Sequence, residues 1–524
     1  MNDYDVIVIG SGAGGLTAAV ALAQAGQKVL VCERHYVPGG WTHSFVLEGY
    51  RFSPGVHYIG GLGLGGPLRR IYEGLGVSRD LRFYELNPDG YDHFFLGDEK
   101  IDFPSGRERL IERLQDRFPH EKRGIDAYFK TITRFMESLA SRNTLKKAAN
   151  MISLMPWIRR SGQDLLDHHL SDPLLKGILA GQSGDHGLAP SQVSAFIHAG
   201  IAYHYLDGGY YPARGAFTIP RAFVRALKRA GGEIRLSTEV DRILVRENRI
   251  QGIRLKDGTE IHAKTVISNA DPGVTFGKLL SPEDTPSSLS KIYGRVRYST
   301  SCVSLFFAVD MDLRAAGMDS GNFWFYQNAD IDRLYRLGQT DHILHADTIP
   351  MIFLTATTLK DPTKRHADGI HTCEAFTFVN HEPFRRYPDI KRDRKEDAAY
   401  QALKRDLADR MLTALDQRIP GIKAHTVYSN LATPRTNEHY INATAGNLYG
   451  TEKSRAFIGP WGFPVKTDLT GFYLVGASTQ SHGVAGATQT GLTAARRILD
   501  CGIRDLLQQN GPPLQILQSE TSHR

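Results

Sequence analysis

The sequence predicts an α/β fold, and three stretches carry the prediction. Residues 6–9 (VIVI) form a short apolar run that reads as a buried parallel strand. It breaks into Gly10, Ser11, Gly12, Ala13, Gly14 and Gly15, and a small-residue helix follows to about Ala25. Near the other end, residues 471–479 (GFYLVGAST) make a second apolar strand. A helix rich in alanine and glycine then runs from Gly483 to Leu499. Between them, GEIRLSTEV, RILVREN, IQGIRLKDG and TEIHAKTVISNA read as short alternating strands turning at Glu247/Asn248 and Asp257/Gly258, a β-meander in which Val240 ends the first strand.

The opening element is a GxGxxG placed between strand and helix, and this placement is what makes the motif informative. Gly10 permits the tight turn, Gly12 lets backbone amides approach a pyrophosphate, and Gly15 lets the helix pack on the sheet. The helix N-terminus then faces phosphate. Gly26 closes the helix, residues 28–32 form the next strand, and Glu33 stands at its end, where a carboxylate accepts a hydrogen bond from a ribose hydroxyl. The expectation is a Rossmann-like dinucleotide site. The same Glu33 opposes NADP, because its charge would repel a ribose phosphate.

Beyond Glu33 come Arg34 and then Pro38, Gly39 and Gly40. A glycine pair here suits a backbone passing close to a long buried cofactor. At this point the chain resembles the large flavoprotein group that includes amine oxidases and phytoene desaturases, which implies FAD in a Rossmann-like, amine-oxidase-like domain. The distant GASTQSHGVAGA segment supports the same reading: Gly476, Ala477, Gly483, Val484 and Ala485 allow close approach of a flat ring, and the helix dipole favours negative charge beside it. In related flavoproteins a valine at the place of Val240 contacts the adenine through its backbone. A second GxGxxG, GLGLGG at 61–66, follows a run holding Pro54, Gly55 and His57, which spoil a buried strand; it reads as a loop lining a cavity. NAD(P)H, if it is the external electron donor, therefore reaches the flavin without a Rossmann domain of its own.

Composition narrows the classes. At 524 residues, 41% hydrophobic and 23% charged, the chain is long enough for two or three domains of ordinary globular character. Four cysteines are widely spaced, with no CxxC and no His/Cys cluster, so no metal site is expected. The net charge of +7 is diffuse, with no basic stripe interleaved with aromatics, which argues against nucleic acid. No apolar run approaches the ~20 residues of a membrane span, and the first strand begins too early for a cleavable signal peptide. The expected location is cytoplasmic, with peripheral membrane contact through 145–160. There LKKAANMISLMPWIRR sets Trp157 and an apolar run between basic pairs; a core helix with solvated ends is the other reading.

The expected domains are interleaved. A discontinuous FAD-binding domain takes 1–75, 210–295 and 455–505. An α+β substrate domain takes 76–209, helix-rich, and 296–454, where strands such as CVSLFFAVD and CEAFTFVN alternate with a charged helix. Residues 506–524 are left as a tail.

The substrate side carries a narrower resemblance. GGWTHSFVLEGYRFSPGVHYIGG (39–61) and YHYLDGGYYPARGAF (203–217) are similar to the corresponding stretches of retinol saturases and carotenoid isomerases. Ser53, Arg214 and Gln480–His482 depart from the usual residues of those families. The resemblance implies an FAD-dependent oxidoreductase acting on carbon–carbon double bonds of a hydrophobic polyene or isoprenoid, by saturation, desaturation or isomerisation. Saturation needs a proton delivered to one carbon, and His57, Tyr58, His43, Tyr203 and Tyr205 are the proton-carrying candidates, His57 first. The alternatives are an amine oxidase-like enzyme on the same scaffold and a non-catalytic flavin- or lipid-binding protein.

Overall fold

The computed structural model describes residues 3–140, 154–364, 369–387 and 397–520. A parallel sheet forms its first layer. Its strands run Glu233–Arg235, Val29–Cys32, Tyr4–Ile9, Glu260–Ser268 and Phe472–Leu474, all paired in parallel. The N-terminal part of Glu260–Ser268 instead pairs antiparallel with Arg249–Leu255, which pairs antiparallel with Val240–Arg246. One long strand therefore belongs to both the parallel sheet and the antiparallel meander.

The helix Ala13–Gln24 lies on this sheet and is buried from Gly14 to Ala23. Its sequence, AGGLTAAVALAQ, has no polar face because no face meets water. The helices Gly483–Leu499 and Thr218–Arg229 pack against it. The first contact is close enough that a Cβ on Gly491 would sit 2.3 Å from the carbonyl oxygen of Gly14. The small residues at both ends of the chain thus serve one helix–helix crossing.

A second, seven-stranded sheet floors the other half. Its order is Thr426–Ala432, Ser301–Val309, His371–Val379, Met351–Ala356, Asn322–Tyr326, Asp92–Leu96 and Glu99–Phe103. All neighbours are antiparallel except Asn322–Tyr326 and Asp92–Leu96. Its central strands are buried on both faces, so their sequences read as continuous apolar runs.

Five details differ from the sequence reading. Val240 opens the strand Val240–Arg246; Ser237, at φ 50°, breaks the run before it, and residues 233–235 join the edge of the parallel sheet. The stretch 76–209, read as helix-rich, contains the strands Arg82–Glu85, Asp92–Leu96 and Glu99–Phe103. The expected tail contains the strand Gln515–Gln518, which pairs in parallel with Arg82–Glu85, while buried Leu506 and Leu514 anchor its approach. Tyr210–Pro212 completes that three-stranded sheet, which straddles the boundary expected at 209/210. Finally, Trp157 faces inward against Phe135, so it is not a lipid-facing anchor; residues 145–153 of that segment lie outside the described residues. Among the described residues no helix is long and apolar enough to cross a membrane.

Candidate active site

The glycine turn is held by two polar side chains that bind backbone. Gly10 has φ 92°, and its N–H donates to Cys32 O at 2.8 Å, tying the turn to the second strand. Ser11 donates twice to Glu33 Oε2, from N at 2.8 Å and from Oγ at 2.6 Å. Ser11 Oγ also accepts from Gly39 N at 3.0 Å, which lays the glycine pair over the first turn. A Cβ on Gly40 would stand 3.6 Å from the Gly12 Cα, in the gap between the two loops. Glu33 Oε1 accepts from His35 N at 2.8 Å and keeps a second lone pair free for a ribose hydroxyl.

Asn269, at the end of the strand Glu260–Ser268, is the residue that joins the two ends of the chain. Its Oδ1 accepts from Gly15 N at 3.1 Å, and its side chain lies against Gly10, Gly12, Gly14 and Gly476. Gly14 and Gly15 are therefore packing positions, against Asn269 and the Gly10 carbonyl, and neither lines the cavity. The sequence reading set both with the cofactor; in the structure they pack against protein. The helix Gly483–Leu499 points its N-terminus into the same space, and a Cβ on Gly483 would meet nothing within 4 Å. Two helix N-termini, each with unpaired N–H groups in its first turn, thus open on one cavity.

That cavity measures about 2150 Å³. Pockets for one drug-sized ligand run about 300–1,000 Å³, so this one has the volume of more than one such pocket. Gly10, Ser11, Gly12, Ala13, Glu33, Arg34, Gly39, Gly40 and Val240 line it, as do Gly476, Ala477, Gly483, Val484 and Ala485. Trp324, Phe353, Phe376, Tyr58 and Tyr205 wall an aromatic chamber of the same cavity.

The chamber wall hides charge. Tyr58 and Tyr205 stack with ring centres 4.2 Å apart. Tyr58 Oη lies 3.1 Å from Asp92 Oδ2 and 2.7 Å from Asp185 Oδ2. Asp92, fully buried, also accepts from Gln182, Asn322 and Trp324. Burial, with the nearby carboxylates, holds the Tyr58 and Tyr205 hydroxyls well above 10. His57 Nδ1 pairs with the buried Glu374. Lys360, also buried, donates to His57 O at 2.6 Å and to Asn322 Oδ1. Burial lowers the Lys360 ammonium to about 7 against the pull of Asp92 and Glu374.

The predicted residues fall into two groups. His57, Tyr58 and Tyr205 meet at the chamber, and Tyr203 lines the same cavity. His43 belongs to the glycine-pair loop: its Nδ1 donates to Gly40 O at 2.6 Å, and burial lowers its pKa. That bond fastens the loop over the glycine turn. Arg34 lines the cavity but its guanidinium donates to the carbonyls of His439 and Tyr440. Sequence reasoning missed Asn269, Asp92, Asp185, Lys360 and Glu374. Glu374 did leave a signal, as the one acid in the apolar strand CEAFTFV.

A double-ended glycine cradle opening into an aromatic chamber defines a flavoprotein oxidoreductase. The chain belongs to the flavin containing amine oxidoreductase family, whose model matches residues 13–499. It is 30% identical to an all-trans-retinol 13,14-reductase of Danio rerio over 95% of this chain and 86% of that protein. It is 28% identical to prolycopene isomerase 1 of an Oncidium hybrid cultivar, over 96% and 85%. Among solved structures, an oxidoreductase from Methanosarcina mazei matches with TM-score 0.63 at 18% identity, covering 93% of this chain and 99% of that one, a likeness of fold. The residues present fit a flavin: Glu33 retains an acceptor toward the cavity, the Gly12–Gly40 gap admits a narrow group, and the surface at Gly483 is open.

Proposed function

We propose that this protein is an FAD-dependent oxidoreductase acting on carbon–carbon double bonds of a long polyene or isoprenoid. The observation that carries the reading is one cavity of about 2150 Å³ joining the glycine cradle to an aromatic chamber. Its relatives named for retinol and prolycopene support the substrate class. FAD, when bound, supplies a hydride donor and acceptor. Ser11, Glu33 and the glycine pair hold its nucleotide half, and the helix N-terminus at Gly483 stabilises negative charge at its ring. The stacked Tyr58 and Tyr205, with Trp324, Phe353 and Phe376, hold a flat apolar chain and exclude water. NAD(P)H is the expected external donor for saturation, and a cytoplasmic or peripheral membrane location is consistent with a lipid-soluble substrate.

The test is spectroscopic and chemical. Purified protein is yellow, and its flavin is bleached anaerobically by NAD(P)H if it saturates and by polyene if it desaturates. Product analysis across retinoids and carotenoids then identifies the bond. A flavin bleached by amines and by neither of the others would move the protein to the amine oxidase reading, which its family name alone favours. Lys360, a candidate for that chemistry, is instead tied to His57 O and Asn322.

A further inference from the structure

Tyr58 touches two carboxyl groups with a single hydroxyl, and proton counting decides their states. A phenol has one proton to donate, yet both Asp92 Oδ2 and Asp185 Oδ2 lie within hydrogen-bond distance. That proton fully serves one of them, and the array is completed when the other acid carries a proton of its own. Asp92 is served by three further donors, from Gln182, Asn322 and Trp324. Among the described residues the Asp185 carboxyl is bonded by Tyr58 alone. Asp92 is thus the carboxylate, Tyr58 donates to it, and Asp185 is the neutral acid that donates to the Tyr58 oxygen.

The position of Asp185 gives the proton somewhere to go. Asp185 lines the large cavity, whereas Asp92 is sealed behind Tyr58. His482, the residue preceding the helix Gly483–Leu499, has Nε2 2.8 Å from Asp185 O. A carbonyl only accepts, so His482 carries its proton on Nε2, and its Nδ1 is buried with no partner among the described residues. This bond fastens Asp185 to the start of the helix beside which the flavin ring is expected. The acid therefore stands at the junction of cofactor cradle and polyene chamber. Burial and the neighbouring Asp92 hold its carboxyl well above the ordinary range, in keeping with the proton count.

We propose that Asp185 is the catalytic proton donor for saturation of a polyene double bond, with Tyr58 and Asp92 as the positioning pair behind it. The inference rests on the polyene reading above. In the step, the carbon–carbon π bond is lost and two C–H bonds form. One carbon takes the hydride that reduced flavin supplies, and its neighbour takes the proton from the Asp185 carboxyl. The polyene gains two electrons, which come through the flavin from NAD(P)H, and the Asp185 carboxylate recovers a proton from water. No further oxidant or reductant is required.

The experiment compares wild type with Asp185→Asn and Tyr58→Phe as flavin-loaded proteins. Infrared difference spectra of the resting enzymes should show a protonated carboxylic acid band in wild type that is missing from Asp185→Asn. That variant should keep its flavin and be reduced by NAD(P)H at the wild-type rate, while polyene turnover falls by roughly 10²–10⁴-fold. In D2O the wild-type product should carry one solvent deuterium at the protonated carbon. Tyr58→Phe should keep the band but shift it, since the hydroxyl partner is lost. A band that survives in Asp185→Asn, or turnover in that variant within about threefold of wild type, would overturn the proposal. Failure of the polyene reading shows separately, in wild type, as a flavin that no polyene reoxidises or bleaches.

Discussion

His57 Nδ1 stands 3.0 Å from Glu374 Oε2, and the Glu374 side chain is only 1% exposed. The other Glu374 oxygen accepts from Ser53 N at 2.7 Å, so one buried carboxylate fixes both the ring and the backbone of its loop. The His57 ring lies against Phe353 and Phe376, whose centroids are 5.0 and 5.7 Å away. His57 is thereby an oriented part of the chamber wall. Alanine at His57 is expected to lower polyene turnover by about tenfold with flavin content unchanged, well short of the roughly 10²–10⁴-fold loss of a proton donor. Steady-state kinetics beside flavin absorbance checks this, and normal turnover would remove His57 from the site.

Glu374→Ala should cost about 2–3 kcal/mol of stability, because hydrogen bonds to a buried charge are worth roughly 1.5–3 kcal/mol and their donors are left unpaired. Glu374→Gln keeps an acceptor for Ser53 N and should lose less. Denaturant midpoints at constant slope would measure both. Equal stability of all three proteins would mean that the pair contributes nothing to the fold.

Glu33→Ala removes the acceptor of three hydrogen bonds, from Ser11 N, Ser11 Oγ and His35 N. The loop over the glycine turn then loses its reference point, and flavin affinity should fall by about 10–100-fold, equivalent to roughly 1.5–3 kcal/mol. Titration of apoprotein with FAD gives the number. An unchanged dissociation constant would place the ribose elsewhere.

Gly491→Val forces a side chain into the Gly14 carbonyl, where even a Cβ would sit at 2.3 Å. Backbone cannot yield as a flexible side chain does, so overpacking of about 1–3 kcal/mol is the floor. The helix crossing should part and flavin retention fall with it. Thermal melting with and without added FAD would show whether the two losses travel together.

His93 predicts a pH dependence. Burial alone would lower its pKa, but bonds to Asp102 and Asp319 outweigh it and raise the imidazole to about 9. The folded value exceeds the unfolded one of about 6.5. The contribution is therefore full below pH ~6.5 and is lost as pH rises through about 9. Asp102 and Asp319 behave oppositely: burial pushes them up, His93 wins, and both are held below their usual value. Their contribution is lost as acid titrates them. His93→Gln should flatten the alkaline fall in stability, on the order of 2 kcal/mol, in denaturant titrations from pH 6 to 10.

The cofactor half was legible because its signals are local. A strand, a glycine turn, a helix and a terminal acid lie within residues 4–33, and Gly483 marks a helix start that the structure repeats. The chamber was only half legible. His57, Tyr58 and Tyr205 stood in motifs, but Asp185 sits in QSGDHG, whose composition looks like any surface loop. Its bond to Tyr58, 127 residues away, is a tertiary fact. The strands at 82–103 were hidden for a related reason: their polar residues, such as Asp92 and His93, are buried by partners distant in sequence. The strand Gln515–Gln518 gives no alternating apolar pattern, since backbone pairing with Arg82–Glu85 places it.

The crossing of Ala13–Gln24 with Gly483–Leu499 sets a schedule for biosynthesis. A nascent chain that has exposed its first hundred residues presents an all-apolar helix and a glycine turn with nothing to lie against. The strand Phe472–Leu474 and the helix after it are translated last among the elements of that layer, and the edge of the small sheet waits for Gln515–Gln518. A chain that lacks residues 472–499 therefore lacks one of the two helix N-termini that open on the cavity.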